Sequence, residues 1–381
     1  MRHRIQLLDS FRCIAIICVM LFHYTDLPPT ISPYGDFFRD IFGFGYIGVP
    51  FFYMISGFVI SYTLENTPDL LSFHENRFSR LFPPMLLCTL LTFIIMRCFD
   101  DHYLFRNAHE IKNFLPSLTF TNPSIWTLLT KINFHWINSS YWSLWVEIQF
   151  YIISSCLYFL NKRNFLRNML LTGIAISLIK YIPDYFLNNH TQYLKQNGLI
   201  TLFKGWRYSD EMFNITFFIT WFLPGVMFYH LYKGLQLKKN IFIGICCVGM
   251  IYCLLRDIRN IYVGSLYTVI FATLLMFALF SIMIYRKKYL LFLEISFLKR
   301  VGIISYTIYL IHEDIGILLI SKFGKYLGNW GALSPFIVIF LAIGFAELSY
   351  RFYERKANIF LKKIFNNRGK IFLNKHIADT S

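Results

Sequence analysis

Long apolar runs, separated by short polar or basic breaks, dominate the sequence. A helix needs about 20 mostly apolar residues to cross the hydrocarbon core of a bilayer. Runs of about that size predict transmembrane helices over residues 7–27, 42–64, 80–99, 141–160, 165–182, 212–233, 240–256, 261–285, 301–320 and 332–353. We therefore expect an all-α fold, a polytopic bundle of about ten transmembrane helices.

Basic residues indicate how this bundle is oriented. An even number of spans places both termini on one side, and Lys and Arg are enriched in cytoplasmic loops. With both termini cytoplasmic, 23 of the 37 Lys and Arg residues fall in the inside segments. We therefore predict cytoplasmic termini, a membrane domain over residues 1–355 and a basic cytoplasmic tail over 356–381.

The composition agrees with a membrane protein. Hydrophobic residues make up 56% of the chain and charged residues only 15%, whereas soluble domains have about 45–50% and about 25%. The net charge of +16 could suggest nucleic-acid binding, but no water-soluble basic domain is visible. We predict contact with the lipid bilayer and no nucleic-acid partner. The eight cysteines lie almost entirely in apolar runs without zinc-site spacings, so we predict no metal site.

Ionisable residues inside the first predicted span are candidates for function, because such groups are costly in a bilayer. Arg12 and His23 are eleven residues apart, close to three helical turns, so they share a face roughly 16 Å apart along the axis. Asp9 lies on the same stripe. The alternative is a structural Asp9–Arg12 pair at the cytoplasmic end with an isolated interfacial histidine.

Arg77 and Arg80 form a second candidate group, at the cytoplasmic start of the third span. Residues three apart on a helix face one way, and two guanidinium groups there can bind phosphate oxygens. An ordinary basic anchor at the membrane boundary would use the same residues.

The start of the fourth span carries a third group, on the same predicted outer side as His23. Ser143 and Glu147 are four residues apart and share a helix face, while Trp142 suits the membrane interface. We expect Glu147 to meet His23. The alternative is a structural acid that pairs with a neighbouring helix.

On the ninth span, Ser305, Tyr309 and His312 recur on one face and are followed by Glu313 and Asp314. Such a stripe could line a polar cavity. Hydrogen-bonded packing between helices would produce the same pattern.

These residues, in this order, resemble the acyltransferase-3 family of integral-membrane O-acyltransferases, which modify cell-surface glycans. The resemblance rests on five segments: Asp9–Arg12 with His23, Gly48–Phe58, Arg77-Phe-Ser-Arg80, Trp142–Glu147 and Ser305–His312. In the family these correspond to a first-span Arg/Lys, ten residues, His pattern; Gly-Val-x-x-Phe-Phe-x-x-Ser-Gly-Phe; Arg-x-x-Arg; Trp-Ser-Leu-x-Val-Glu; and a ninth-span signature.

The sequence departs from the family pattern at a few positions. Ser10 and Cys13 stand where glycine is common, Pro50 where many members have an acid, and Trp145 where serine is frequent. Ile148 replaces a second glutamate, so Glu147 would act without that neighbour. Only a basic tail follows residue 354, and we expect no fused extracellular hydrolase-like domain.

The resemblance implies a function and roles for the candidate residues. It implies an acyl-CoA donor, most often acetyl-CoA, bound from the cytoplasm by Arg12, Arg77 and Arg80. The acceptor would be a hydroxyl of a lipid-linked or surface glycan, reached from outside a bacterial cytoplasmic (inner) membrane. The roles expected within the membrane are catalysis by His23, Glu147 and Asp9, and substrate contact by Trp142, Ser143 and His312.

Under this interpretation His23 is the general base, or transiently carries the acyl group, and Glu147 orients it. Asp9 positions Arg12. A transporter or flippase of glycan precursors is the alternative, since it would also need intramembrane ionisable residues. No inverted repeat typical of transporters is visible in the sequence. Whether the chain forms a homo-oligomer stays open.

Overall fold

A computed structural model describes residues 5–28, 31–34, 37–101, 104–236, 241–260 and 266–365, and the regular elements in these ranges are all helical. The α-helices are α1 (Gln6–Thr25), α2 (Phe37–Phe42), α3 (Gly48–Glu65), α4 (Leu70–Phe99), α5 (Phe114–Thr119), α6 (Pro123–Thr130), α7 (Trp142–Leu160), α8 (Phe165–Ile179), α9 (Tyr181–Asn189), α10 (Thr191–Gln196), α11 (Ile200–Met212), α12 (Ile215–Tyr232), α13 (Ile241–Asn260), α14 (Leu266–Tyr285), α15 (Ser296–Ile311), α16 (Asp314–Phe323) and α17 (Ser334–Ser349). The all-α expectation is confirmed.

Nine helical stretches in the described ranges are long and apolar enough to cross a membrane. They are Gln6–Thr25, Gly43–Glu65, Leu70–Phe99, Ser139–Leu160, Lys162–Asn189, Ile215–Tyr232, Ile241–Ile258, Leu266–Tyr285 and Asp314–Phe365. The first eight each overlap one predicted span, and Asp314–Phe365 overlaps the last two, which confirms a polytopic helical bundle. The chain is a multi-pass membrane protein.

The ninth predicted span, over residues 301–320, is wrong as a single helix. Helix α15 ends at Ile311 and α16 begins at Asp314, so the predicted span is broken at His312 and Glu313. With 16 residues, α15 is about 24 Å long at 1.5 Å per residue, shorter than a bilayer core of about 30 Å. The hydropathy pattern missed this break because apolar residues continue on both sides of it.

The C-terminal end of the described chain is one long helical run. The last helical run continues without a break from residue 334 to residue 365 and therefore passes through the predicted domain boundary at 355. Residues 1–4 and the part of the predicted basic tail over 366–381 lie outside the described residues. The predicted division into a membrane domain and a tail stays a prediction.

Helices α1 and α15 lie side by side and run parallel. Lys299 Nζ donates to Gln6 Oε1 at 3.0 Å near their N-terminal ends, and Tyr24 OH donates to the His312 carbonyl at 2.8 Å beyond the C-terminal end of α15. Between these points, a Cβ added to Gly302 would lie 1.8 Å from the Asp9 carbonyl oxygen. Glycine at position 302 therefore permits the backbones to approach closely.

A folded segment over residues 104–141 connects α4 to α7. Asp100 organises its beginning, because the carboxylate accepts hydrogen bonds from Leu104 N at 2.8 Å and Phe105 N at 2.9 Å, and His109 Nε2 lies 3.1 Å away. Burial opposes ionisation, but these hydrogen bonds lower the pKa of Asp100 below its ordinary value. The segment continues through α5 and α6, and we call residues 104–141 the outer segment because the predicted topology places it on the outer side.

Candidate active site

Two adjoining cavities lie between α1, α3, α4, α7 and α15. The vestibule, about 380 Å³, is lined by residues near the predicted cytoplasmic side, including Ile5, Asp9 and Asn358. The inner chamber, about 80 Å³, is lined by residues including Ser143 and Tyr309. Val59 and three arginines line both cavities: Arg12, Arg77 and Arg80.

Arg77 is the most rigidly held of these arginines. Its side chain is buried, its Nη2 donates to Thr63 Oγ1 at 2.6 Å, and its guanidinium lies 5.4 Å from the Phe73 ring centroid and 5.5 Å from that of Tyr151. Cation–π contacts and a hydrogen bond fix the orientation of the charge. Arg80, one helical turn along α4, is exposed. The structure therefore joins the predicted pair to Arg12 around one opening.

Asp9 forms an ion pair with Arg12. The Asp9 Oδ1–Arg12 Nη1 distance is 3.3 Å, and the carboxylate is buried whereas the Arg12 side chain keeps 14% of its surface exposed. A buried carboxylate beside a guanidinium fixes the position of that guanidinium. This contact agrees with the expected positioning role of Asp9.

Glu147 lies in the inner chamber with two hydroxyl donors. Its Oε1 accepts hydrogen bonds from Ser56 Oγ at 2.5 Å and Tyr151 OH at 2.6 Å. Tyr151 therefore lies between Glu147 and Arg77, because its hydroxyl donates to Glu147 and its ring contacts the Arg77 guanidinium. The structure therefore does not pair Glu147 with His23, in contrast to the expectation from the sequence.

His23 pairs instead with Glu313. The His23 Nδ1–Glu313 Oε1 distance is 3.6 Å, with 26% and 16% of the two side chains exposed. This contact exists because α1 and α15 are parallel and α15 stops at Ile311, so the residues that follow it turn over the end of α1. Glu147, on the second turn of α7, forms its hydrogen bonds in the inner chamber instead.

A row of polar contacts connects the inner chamber to His23. The Ser143 Oγ and Tyr309 OH atoms are 2.7 Å apart, and His312 Nδ1 donates to the Tyr309 carbonyl at 2.7 Å. The rings of His312 and His23 lie 5.1 Å apart, edge to face. His312 is fully buried, and its Nε2 has no hydrogen-bond partner among the described residues. Ser143 and His312 thus lie along the line between the two halves of the site.

Trp142 is not brought into this site. Its ring packs on Phe218 at a centroid distance of 5.2 Å, and it lines neither the vestibule nor the inner chamber. Tyr53, from α3, occupies the adjacent position in the chamber wall and donates from its OH to the Ser143 carbonyl at 3.3 Å. The predicted substrate contact by Trp142 has no support in this arrangement and stays a prediction.

Three side chains near the outer end could hold a metal ion. Single ligand atoms of His23, His312 and Glu313 all lie within 4.8 Å of one another. Nitrogen and oxygen ligands at about 2.0–2.1 Å from zinc in tetrahedral geometry are about 3.3 Å apart, so these atoms would have to move together to bind one. As described, the group is better suited to hydrogen bonding, and the expectation of no metal site stays a prediction.

Several site residues were not assigned from the sequence. Glu313 directly follows His312 in the polar stripe of the ninth span. Ser56 lies within the Ser-Gly-Phe part of the second-span motif, and Tyr151 lies one turn beyond Glu147. The available signals were therefore sequence neighbours for Glu313 and Tyr151, and the family motif for Ser56.

Comparison with known proteins assigns the chain to a family. The family model described as an acyltransferase domain, acyltransferase-3, matches residues 5–349, and the chain belongs to this family. An "O-acetyl transferase" of Shigella phage Sf6 is 29% identical over 116 residues, which cover 29% of this chain and 32% of that protein. The chain thus matches about a third of the length of this relative. No solved structure matches the chain.

Family membership and the apolar helices together define a multi-pass membrane acyltransferase. The match spans all five motif segments given above, from Asp9 to His312.

Proposed function

We propose that this protein transfers an acetyl group from cytoplasmic acetyl-CoA to a hydroxyl of a lipid-linked or cell-surface glycan in a bacterial cytoplasmic membrane. The observation that carries the proposal is the arrangement of charges. Three arginines surround the opening between the vestibule and the inner chamber, and a histidine–carboxylate pair lies beyond the far end of that chamber. The name of the phage relative supports acetyl as the acyl group and oxygen as its acceptor.

The vestibule suits the donor. Acyl-CoA carries phosphates at one end and the thioester at the end of a long, thin arm, so it needs fixed cations at a distance from the chemistry. Arg12, Arg77 and Arg80 supply them, and Arg guanidinium groups bind phosphate oxygens with two hydrogen bonds each. Asp9 and Thr63 hold two of these guanidinium groups in place.

The far end of the site suits the transfer step. His23 accepts the proton of the glycan hydroxyl as its oxygen attacks the thioester carbonyl. A C–O bond forms, the C–S bond breaks, and the proton passes to the CoA thiolate, which leaves as the thiol. Glu313 orients the imidazole of His23 and stabilises its charged form.

The inner chamber must widen during this reaction. Its volume of about 80 Å³ is well below the roughly 300–1,000 Å³ of ordinary small-molecule sites. Tyr309 and Ser143 close its outer end through their mutual hydrogen bond. Breaking that contact would let the acyl-bearing arm reach His312 and His23.

The test uses the full chain reconstituted in liposomes, with radiolabelled acetyl-CoA and polysaccharide isolated from cells that express the chain. We expect labelled polysaccharide and one released CoA thiol for each acetyl group transferred. His23→Ala should reduce transfer by about 10²- to 10⁴-fold, the usual contribution of a general base. His190→Ala is the matched control, because His190 is an exposed histidine outside this site, and it should transfer normally.

Two results would contradict the proposal. A His23→Ala protein that folds, inserts and transfers at the wild-type rate would exclude the chemistry given to His23. Movement of glycan across the liposome membrane without gain of label would favour the transporter alternative.

A further inference from the structure

A groove lies along the outer segment. Two adjoining cavities of about 400 and 320 Å³ share Asn107, Trp136 and Ser139, so they form one continuous surface, which we call the outer groove. Each cavity is within the roughly 300–1,000 Å³ of small-molecule sites. The inner chamber, at about 80 Å³, is much smaller.

The lining of the outer groove is polar but mostly uncharged. Its larger part is lined by amides, hydroxyls and aromatic rings, including Asn122, Asn133, Trp136 and Tyr208, and none of the described residues lining it is Asp, Glu, Lys or Arg. Amide groups both donate and accept hydrogen bonds, as sugar hydroxyls do. An indole ring offers an apolar face to the C–H face of a sugar ring and an N–H at its edge. This combination matches a neutral saccharide.

Some of these polar groups maintain the local fold, and others are available to a ligand. Asn122 accepts from Ser124 N at 2.9 Å and donates to the Met212 carbonyl at 3.2 Å, so its side chain is committed. The polar side-chain atoms of Asn133 and Trp136 make no hydrogen bond within the described ranges, and Asn133 is exposed. The side chains of Asn133 and Trp136, which line the groove, are therefore available to a ligand.

The smaller part of the groove reaches Asp314. It is lined by one cation, Arg106, and one acid, Asp314, and Ser139 N donates to Asp314 Oδ1 at 3.2 Å. Asp314 is buried and directly follows Glu313, whose Oε1 is 3.6 Å from His23 Nδ1. A saccharide that lies along Trp136 would thus end at Asp314, one residue along the chain from the carboxylate that pairs with His23.

We propose that the outer groove binds an uncharged saccharide segment of the acceptor, with Asn133 and Trp136 as its main contacts. This inference rests on the proposed function, because it supplies the hydroxyl that His23 deprotonates. The transfer remains balanced as described: the hydroxyl oxygen gains the acyl carbon, and its proton leaves with the CoA thiol. The sugar ring bound near Asp314 is the one that becomes acylated.

A neighbouring pocket is basic, and it can be compared with the mostly uncharged outer groove. It is lined by Lys195, Lys204 and Arg207 and shares Tyr208 with the outer groove. An acidic polysaccharide would be attracted to these cations, whereas an uncharged one would gain little from them. Lys204 is exposed, which makes its substitution a matched control.

The experiment measures binding and transfer separately with the full chain in detergent. Polysaccharide from expressing cells is divided by anion exchange into neutral and acidic fractions, and each fraction serves as the probe. We expect the neutral fraction to bind and to receive label from acetyl-CoA. Asn133→Ala and Trp136→Ala should each raise its Kd and KM by about 5- to 100-fold, the effect of losing contacts worth about 1–3 kcal/mol. The KM for acetyl-CoA should not change.

Controls separate the outcomes. Trp136 packs partly on the core, so Trp136→Phe, which keeps a ring there, should bind better than Trp136→Ala. Lys204→Ala should bind and transfer as wild type, and His23→Ala should bind the neutral fraction but transfer little. Unchanged Kd for Asn133→Ala and Trp136→Ala, or weaker binding in Lys204→Ala together with label in the acidic fraction, would overturn the groove assignment. Normal binding of the neutral fraction without transfer by the wild type would instead refute the proposed function.

Discussion

His23 Nδ1 lies 3.6 Å from Glu313 Oε1, whereas Glu147 accepts hydrogen bonds from Ser56 and Tyr151 inside the inner chamber. The two carboxylates therefore belong to different parts of the site. Glu313 can stabilise the charged His23 imidazole directly, whereas Glu147 is bonded to residues that line the inner chamber. This difference distinguishes the effects of their substitution.

We expect Glu313→Gln to lower kcat by roughly 10- to 10⁴-fold, the upper figure being the cost of removing the carboxylate partner of a catalytic histidine in serine proteases. Glu147→Gln, which keeps an acceptor for Ser56 and Tyr151, should lower kcat less. Steady-state kinetics of acetyl transfer, measured on matched preparations of the two variants, shows which substitution lowers kcat more. Equal losses, or a larger loss for Glu147→Gln, would restore Glu147 as the partner of His23.

Arg77→Lys keeps the positive charge but loses the hydrogen bond to Thr63 and the flat guanidinium held between Phe73 and Tyr151. We expect the Kd for acetyl-CoA to rise by about 10- to 100-fold, because a hydrogen bond to a charged group is worth about 1.5–3 kcal/mol. Calorimetry with acetyl-CoA measures this change. The control variant Arg163→Ala removes an exposed charge on the predicted cytoplasmic side and should bind as wild type. If Arg77→Lys also binds as wild type, the donor phosphates are held elsewhere.

Chelation tests the group formed by His23, His312 and Glu313. We expect extensive dialysis against EDTA to leave acetyl transfer unchanged, because the ligand atoms are spread over as much as 4.8 Å rather than about 3.3 Å. Elemental analysis of the purified chain should find well under one equivalent of zinc. Loss of activity on chelation, restored by one divalent metal, would show that this group binds an ion.

Gly302→Ala should destabilise the protein, because the added Cβ would lie 1.8 Å from the Asp9 carbonyl oxygen and force α1 and α15 apart. Overpacking of this kind costs about 1–3 kcal/mol. The Tm in detergent should fall, and transfer should fall with it because α1 carries Asp9, Arg12 and His23. Gly344→Ala adds a Cβ with nothing within 4 Å and should keep both values; an unchanged Tm in Gly302→Ala would mean that the helices are less closely packed.

The sequence predicted the helical bundle well because crossing a bilayer imposes one simple requirement, a long apolar run. It also selected Arg12, Arg77 and Arg80, which the structure gathers around one opening. It did not predict that a helix stops at Ile311, because the polar residues from His312 to Asp314 are few and the chain is apolar on both sides of them. The pairing of His23 with Glu313 follows from that break and from the parallel packing of α1 and α15, and both are tertiary features.

The sequence did not predict the outer groove, for a different reason. Apart from Tyr208 and Asp314, its residues come from a long semi-polar connection in which no period of two or 3.6 residues links Asn107 to Asn133 or Trp136. Their proximity depends on the hydrogen bonds from Leu104 and Phe105 to Asp100 and on the short helices that follow. Local spacing carries no information about such a loop.

The small inner chamber has a consequence for the cell as well as for the reaction. A protein with polar recesses on both faces of a membrane would conduct protons and ions if the recesses joined. Between the vestibule and the outer groove stand the Ser143–Tyr309 hydrogen bond and a chamber of about 80 Å³. Under the proposed topology, the constriction through which the acyl-bearing arm must pass thus also separates the two recesses, and we expect a variant held permanently open to leak protons or ions across the membrane.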